Sequence, residues 1–142
     1  MADNIIHMER QSVCMGDDAN APNARNLSFA SGMMLSDFLD VIAGNIPLRF
    51  NGQHTIWGVE NDGHPVALLE TDVNGNYTNE LLIEDILLKD LNSKEVYCHY
   101  FYDYKGNLCS SLSHYEDGKW KDNHPECRTL SDKVKAFYQL EI

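Results

Sequence analysis

Asp62-Gly63 constrains this chain more than any other pair of residues in it. The pair stands between His-Thr-Ile-Trp-Gly-Val-Glu-Asn (54–61) and His-Pro-Val-Ala-Leu-Leu-Glu-Thr-Asp (64–72), two runs with strand character. A two-residue Asp-Gly connection accepts positive φ and matches the twist of two antiparallel strands. A hairpin over 54–72 is therefore expected. Lys105-Gly106 marks a second tip, between strands 95–103 and 108–115, and Asn74-Gly75 a further tight turn.

Helices are fewer. Leu35, Phe38, Leu39 and Ile42 fall at i, i+3, i+4 and i+7, one apolar stripe, with Ser31 as a candidate cap and Gly44 as a candidate stop. A last helix is expected near 129–139, capped by Thr129 or Ser131, with Leu130, Val134 and Phe137 inward. Residues 5–15 open as a strand, and 27–30 form a short strand able to pair with it across a long, turn-rich loop. Residues 80–91 fit a helix, or a strand followed by a helical turn. The whole chain, 1–142, reads as a single α+β domain. Its sheet is mainly antiparallel, with about five to seven strands and two or three helices.

The chain carries 22 acidic residues against 11 basic ones. The excess is concentrated in residues 51–100, where nine acids meet only Lys89 and Lys94. Such charge repels nucleic acid and anionic lipid and attracts basic partners, although it also serves plain solubility. The apolar runs, such as Leu81-Leu82-Ile83, are far shorter than the ~20 residues of a membrane span. The opening Met1-Ala2-Asp3-Asn4 has no secretion-signal character, so a cytoplasmic protein with four reduced cysteines is expected.

No reaction is spelled out. Asp17 and Asp18 could hold a divalent cation, but adjacent strand residues point opposite ways, and a structural turn over Gly16 to Pro22 without bound metal is the expected reading. Asp72, Asn74 and Asn76 imitate the start of a calcium loop, which then fails at Tyr77, where Gly belongs, and at Ile83, where Glu belongs. Cys98, His99, Cys109, His114, His124 and Cys127 suggest zinc. If position 104 pairs with 107, however, Cys98 and Cys109 lie ~13 Å apart along the sheet, too far to share a metal or a disulfide. Cys14, Cys98 and Cys109 sit in expected strands rather than at helix N-termini, and nucleotide-binding and nucleophile-elbow signatures are missing. No enzymatic activity and no cofactor are expected. In the same register Tyr100, Tyr102 and Tyr104 share a face with Cys98, and Tyr97 and Phe101 share the other with Leu108. The second set reads as core. The tyrosine row is either a solvated binding surface or lies under a helix.

The stretch Ser12-Val13-Cys14-Met15-Gly16-Asp17-Asp18, then Ala21-Pro22, the 35–42 helix and the Thr55-Ile56-Trp57 strand, resembles a group of small uncharacterised bacterial proteins with an S-V-C-M-G-D-D…A-P opening. That group is similar to the small acidic immunity proteins encoded beside polymorphic toxins, including contact-dependent growth inhibition systems. The likeness spans about the first sixty residues and is firmest over 12–22. Asn23 stands where members often carry His. No chemistry is attached to the heptapeptide. The resemblance implies a cytosolic antidote that covers the active site of a basic toxin domain, such as a nuclease. The acids expected to meet the toxin are Glu60, Asp62, Glu70, Asp72, Glu80, Glu84 and Asp85. The competing readings are a small metal-dependent hydrolase using Asp17 and Asp18, and a general protein-binding module. Oligomeric state is not legible in the sequence.

Overall fold

The computed structural model describes residues 4–10, 24–45, 54–72, 74, 76–104, 107–109, 115–116, 119–120 and 129–138. Strands β1 (Ile5–Arg10), β2 (Ala24–Ser28), β3 (Thr55–Asn61), β4 (His64–Thr71), β5 (Tyr77–Leu81), β6 (Glu95–Tyr104) and β7 (Asn107–Cys109) form one sheet. Its order is β2-β1-β6-β3-β4-β5, with β7 also on β6. All the pairings are antiparallel except β1 with β6. A separate two-stranded ribbon joins β8 (Tyr115–Glu116) to β9 (Lys119–Trp120). The helices are α1 (Leu35–Asn45) and α2 (Leu130–Phe137), with a single 3₁₀ turn at Leu88–Asp90. The α+β, mainly antiparallel expectation holds.

Asp62 and Gly63 take φ of 54° and 79°, the two positive angles that a tight hairpin needs. They join β3 to β4 as expected. The ladder slips between Val59 and Glu60, because Val59 pairs with Ala67 while Glu60 pairs with Pro65. Val66 is the extra residue of this bulge, and its carbonyl accepts from Leu82 N–H at 2.9 Å. Pro65, which has no N–H to give, sits next to the bulge, where a missing donor is tolerated. At the second tip Tyr104 pairs with Asn107 and Tyr102 with Cys109, the expected register. The ladder does not extend to Cys98, whose neighbour on that edge is Arg10 of β1.

The two faces of the sheet carry different helices. Ile6 and Met8 of β1, Trp57 and Val59 of β3, Ala67 and Leu69 of β4, and Val96, Cys98 and Tyr100 of β6 pack beneath Leu35, Phe38, Leu39 and Ile42 of α1. On the other face Ile56, Leu68 and Phe101 pack beneath Leu130 and Val134 of α2. Strand β6 is therefore covered by α1 on one face and, at His99 and Phe101, by α2 on the other, which decides the question for Tyr100 and Tyr102. Tyr100 is 9% exposed, with its ring 4.9 Å from Trp57, and Tyr102 is half-buried and stacked on Tyr100. They belong to the α1-side core and form no solvated row. Tyr97, expected in the core, is instead 37% exposed.

Local signals place the helix ends. Thr129 caps α2, its Oγ1 accepting from Asp132 N–H at 3.0 Å. Ser31 does not cap α1. Its Oγ accepts from Asn4 Nδ2, and the helix begins at Leu35. The cap comes from the β5–β6 connection: the Asp85 carboxylate accepts from Ser36 N–H at 3.0 Å and from Ser36 Oγ at 2.6 Å, and the Ile86 carbonyl from Leu35 N–H at 2.8 Å. Two orphan donors of the first turn are thus satisfied from 49 and 51 residues away. Residues 80–91 resolve as the end of β5 followed by the 3₁₀ turn. Gly44 lies inside α1 rather than beyond it.

Asp85→Ala should lower stability by about 0.5–2 kcal/mol, the range for loss of a helix cap. Glu84→Ala, one residue away and exposed, should be near neutral. Urea denaturation of the two variants measures both, and equal effects would contradict the capping role.

Candidate functional site

Helix α2 covers only part of its face of the sheet. The β1 side of that face carries Ile5, His7 and Glu9, and β6 adds Glu95 and Tyr97, in register as His7 with Glu95 and Glu9 with Tyr97. Ile5 is 40% exposed, so this part of the face is open. Where it meets the β3–β4 tip lies a groove of about 370 Å³. His7 and Glu9 form one wall, Ser93, Glu95 and Tyr97 another, and Glu60, Asp62 and Gly63 the third. Among the described residues neither lysine nor arginine lines it. Asn61 holds the walls together. This buried side chain donates from Nδ2 to the Ser93 carbonyl at 2.8 Å and to the Glu95 carbonyl at 2.9 Å.

Glu60 is the inner carboxylate, with its side chain 18% exposed. Its Oε2 accepts from the Tyr138 hydroxyl at 2.5 Å and is 3.2 Å from His99 Nδ1. A carboxylate only accepts, so the bond to His99 requires the proton on Nδ1. His99 stacks on Phe101 at 4.6 Å and meets Phe137 edge-on. Its Nε2 is buried with no hydrogen-bond partner among the described residues. Tyr138 reaches Glu60 by crossing β3 over Gly58, where any Cβ would overlap the phenol. Burial, then the bond to the Glu60 carboxylate, pushes the Tyr138 phenol far above its ordinary range, so it stays a donor. Burial and the charges of Glu9 and Glu60 also raise Tyr97.

The seven acids expected at a binding surface are not gathered in one place. Glu60 and Asp62 share the groove. Glu70 pairs with His54, its Oε2 2.5 Å from Nε2, and Glu80 with Lys135 of α2 at 2.8 Å. Asp72 closes the β4–β5 turn, accepting on Oδ1 from the N–H groups of Asn74 and Asn76 and on Oδ2 from Asn76 Nδ2. That turn accounts for the calcium-like spacing. Asp85 caps α1, and Glu84 is exposed in the β5–β6 connection. Glu9, Glu95 and Tyr138 escaped the sequence reading, which took Tyr97 for core and weighed His99 only as a zinc ligand. The alternation of buried Ile6, Met8 and Arg10 with Ile5, His7 and Glu9 was a signal for Glu9. Its meeting with Glu95 follows from the parallel β1–β6 pairing, which no local motif announces.

The described residues offer little for covalent chemistry. Burial pushes the Cys98 thiol up to about 12, so it is a protonated core group. Cys98 faces α1 and His99 faces α2, so the two adjacent residues share no metal. Among the described residues no three His, Cys, Asp or Glu side chains converge as metal ligands. Asp17, Asp18, Cys14, His114, His124, Cys127 and the side chain of Cys109 lie outside the described residues. The groove's capability is to accept hydrogen bonds from a cation. Compared with known proteins, the chain matches no family model, no curated sequence and no solved structure.

Two outcomes follow from this geometry. Gly58→Ala should displace Tyr138 and cost about 1–3 kcal/mol, as overpacking does. In a Tyr138→Ala background the same change should cost much less, and a double-mutant cycle by denaturant unfolding reads the coupling. For Asp72, the Asn76 N–H and then its side-chain amide hold the carboxyl below its ordinary range. A folded pKa below the unfolded one contributes stability above the unfolded value and loses it as pH falls through the folded value. The stability gap between wild type and Asp72→Ala should therefore be constant above roughly pH 5 and shrink below about pH 4. Urea midpoints across that range test it, and a gap that widens on acidification would contradict the assignment.

Proposed function

We propose that this protein is an immunity protein: a cytoplasmic antidote that binds a basic cognate toxin domain, such as a nuclease, and covers its active site. The observation that carries the reading is the groove, where Glu9, Glu60, Asp62 and Glu95 stand on an open sheet face with no lysine or arginine among the described lining residues. A nuclease cleft is positive because it must hold phosphates, and a carboxylate-lined surface is steered to such a cleft and competes for it. Tyr97 and Ile5 add apolar contact beside the charge, the usual make-up of an interface core with a polar rim. The resemblance of the 12–22 stretch to proteins encoded beside toxins supports the same reading. Among the described residues no helix is long and apolar enough to cross a membrane.

The test is co-expression with the product of the adjoining gene, capture on a tag carried by either chain, and affinity measured at two salt concentrations. A stable complex whose association slows as salt rises is expected. Asp62→Lys and Glu95→Lys should each weaken it, by about 1–3 kcal/mol where the carboxylate is paired and desolvated in the complex. Glu84→Lys, away from the groove, is the control. Equal affinity and equal salt slope in all three variants would remove the groove from the interface. Failure to co-purify with any neighbouring toxin would remove the immunity role.

A further inference from the structure

We propose that the open sheet face at the groove docks one arginine side chain of a basic partner protein, with its guanidinium on Glu60 and its plane against Tyr97. This rests on the partner-binding reading above and names the chemistry the face selects.

Charge complementarity and shape select the occupant. The face is uncovered by α2, and two large apolar side chains on it, Ile5 and Tyr97, are more than a third exposed. Four carboxylates on three different segments surround the concavity. A second copy of this chain would bring the same acids against themselves, which costs energy. A nucleic acid would meet the same repulsion. A metal ion needs ligands that converge on a point, and these carboxylates do not. A cation with several donors in different directions fits better. Guanidinium has five N–H donors in a rigid plane, so it can bond the free oxygen of one carboxylate while its other N–H groups reach further acceptors, and it stacks on aromatic rings. An ammonium is a point charge and uses fewer of these features.

Glu60 is built for this role in a way that the other three acids are not. Its Oε2 is already fixed by Tyr138 and His99, so the carboxylate is oriented before any ligand arrives. A carboxylate has about four acceptor positions, and these two donors leave about half of them for a ligand. With most of its side chain out of water, a charge-assisted bond to it is stronger than one at an exposed acid. Asp62 and Glu95, at the rim, contribute attraction but little fixed geometry.

The test follows NMR amide shifts of the full chain during titration with acetyl-Gly-Gly-Arg-Gly-Gly-amide, its lysine counterpart and its citrulline counterpart. Saturable shifts at Gly63, Ser93, Glu95 and Tyr97 are expected with the arginine peptide, weaker binding by several-fold with lysine, and none with citrulline. Glu60→Gln should weaken arginine binding about tenfold, the size of one charge-assisted bond. Glutamine still accepts from Tyr138 and His99, so the fold is retained, which circular dichroism checks. Should Glu60→Gln fail to fold, Asp62→Asn with Glu95→Gln, both at exposed positions, should weaken binding several-fold, while Glu84→Gln leaves it unchanged. Equal binding of arginine and lysine peptides, shifts scattered over the whole acidic surface, or equal losses in the groove variant and Glu84→Gln would each overturn the proposal. The titration needs no toxin. Arginine binding without a co-purifying toxin would sink the immunity role and leave this site standing, and the reverse result would sink the site alone.

Discussion

Strand β6 organises the molecule. Its ten residues pair with β3 along one edge and, along the other, with β1 and then β7. Alternation sends Val96, Cys98 and Tyr100 under α1, while Phe101 goes under α2 and His99 is enclosed by aromatic rings. Where the strand is sealed on both faces, around His99, polar groups are tolerated only where they find partners. His99 finds one in Glu60, which lies diagonal to it on β3, opposite Tyr97, while Gly58 stands opposite His99. The same carboxylate takes the Tyr138 hydroxyl, so the end of α2 is tied to the strand pair at a point that Gly58 leaves clear.

The groove is a consequence of unequal cover. A helix with its side chains is about 10–12 Å across, and strands are spaced ~4.8 Å apart, so one helix shields about two strands. The sheet is six strands wide from β2 to β5. Helix α2 packs over β3 and β6, which leaves the β1 side of that face to meet water with its own side chains. His7, Glu9 and Glu95 suit that exposure. Ile5 and Tyr97 do not, and their place beside the carboxylates is what distinguishes this face from a merely solvated one.

Features legible in the sequence were those settled within a few residues. Asp62-Gly63 required positive φ wherever it stood, the α1 stripe needed only its own periodicity, and Thr129 needed only an N–H three residues on. Contacts made across the chain were opaque. Asp85 reaches Ser36 over 49 residues and Tyr138 reaches Glu60 over 78, and neither pairing leaves a trace in local composition. The charge count of the middle third was right about the acids and silent about their partners. Asp72 and Asp85 bind backbone N–H groups, and Glu70 and Glu80 pair with His54 and Lys135. Of the seven acids singled out, two came to the groove, and the parallel strand β1 brought Glu9 from outside the acidic section.

This division bears on how an acidic chain recognises anything. An acid already engaged with the fold has little attraction left for a partner, because its field is partly cancelled and its lone pairs are occupied. Asp72 and Asp85 therefore add to the net charge of −11 without adding to a recognition surface. The groove acids differ in that, among the described residues, the walls around them hold no lysine or arginine. Their place on an open face, beside an exposed tyrosine and an oriented Glu60, suits the proposed partner, which would carry positive charge.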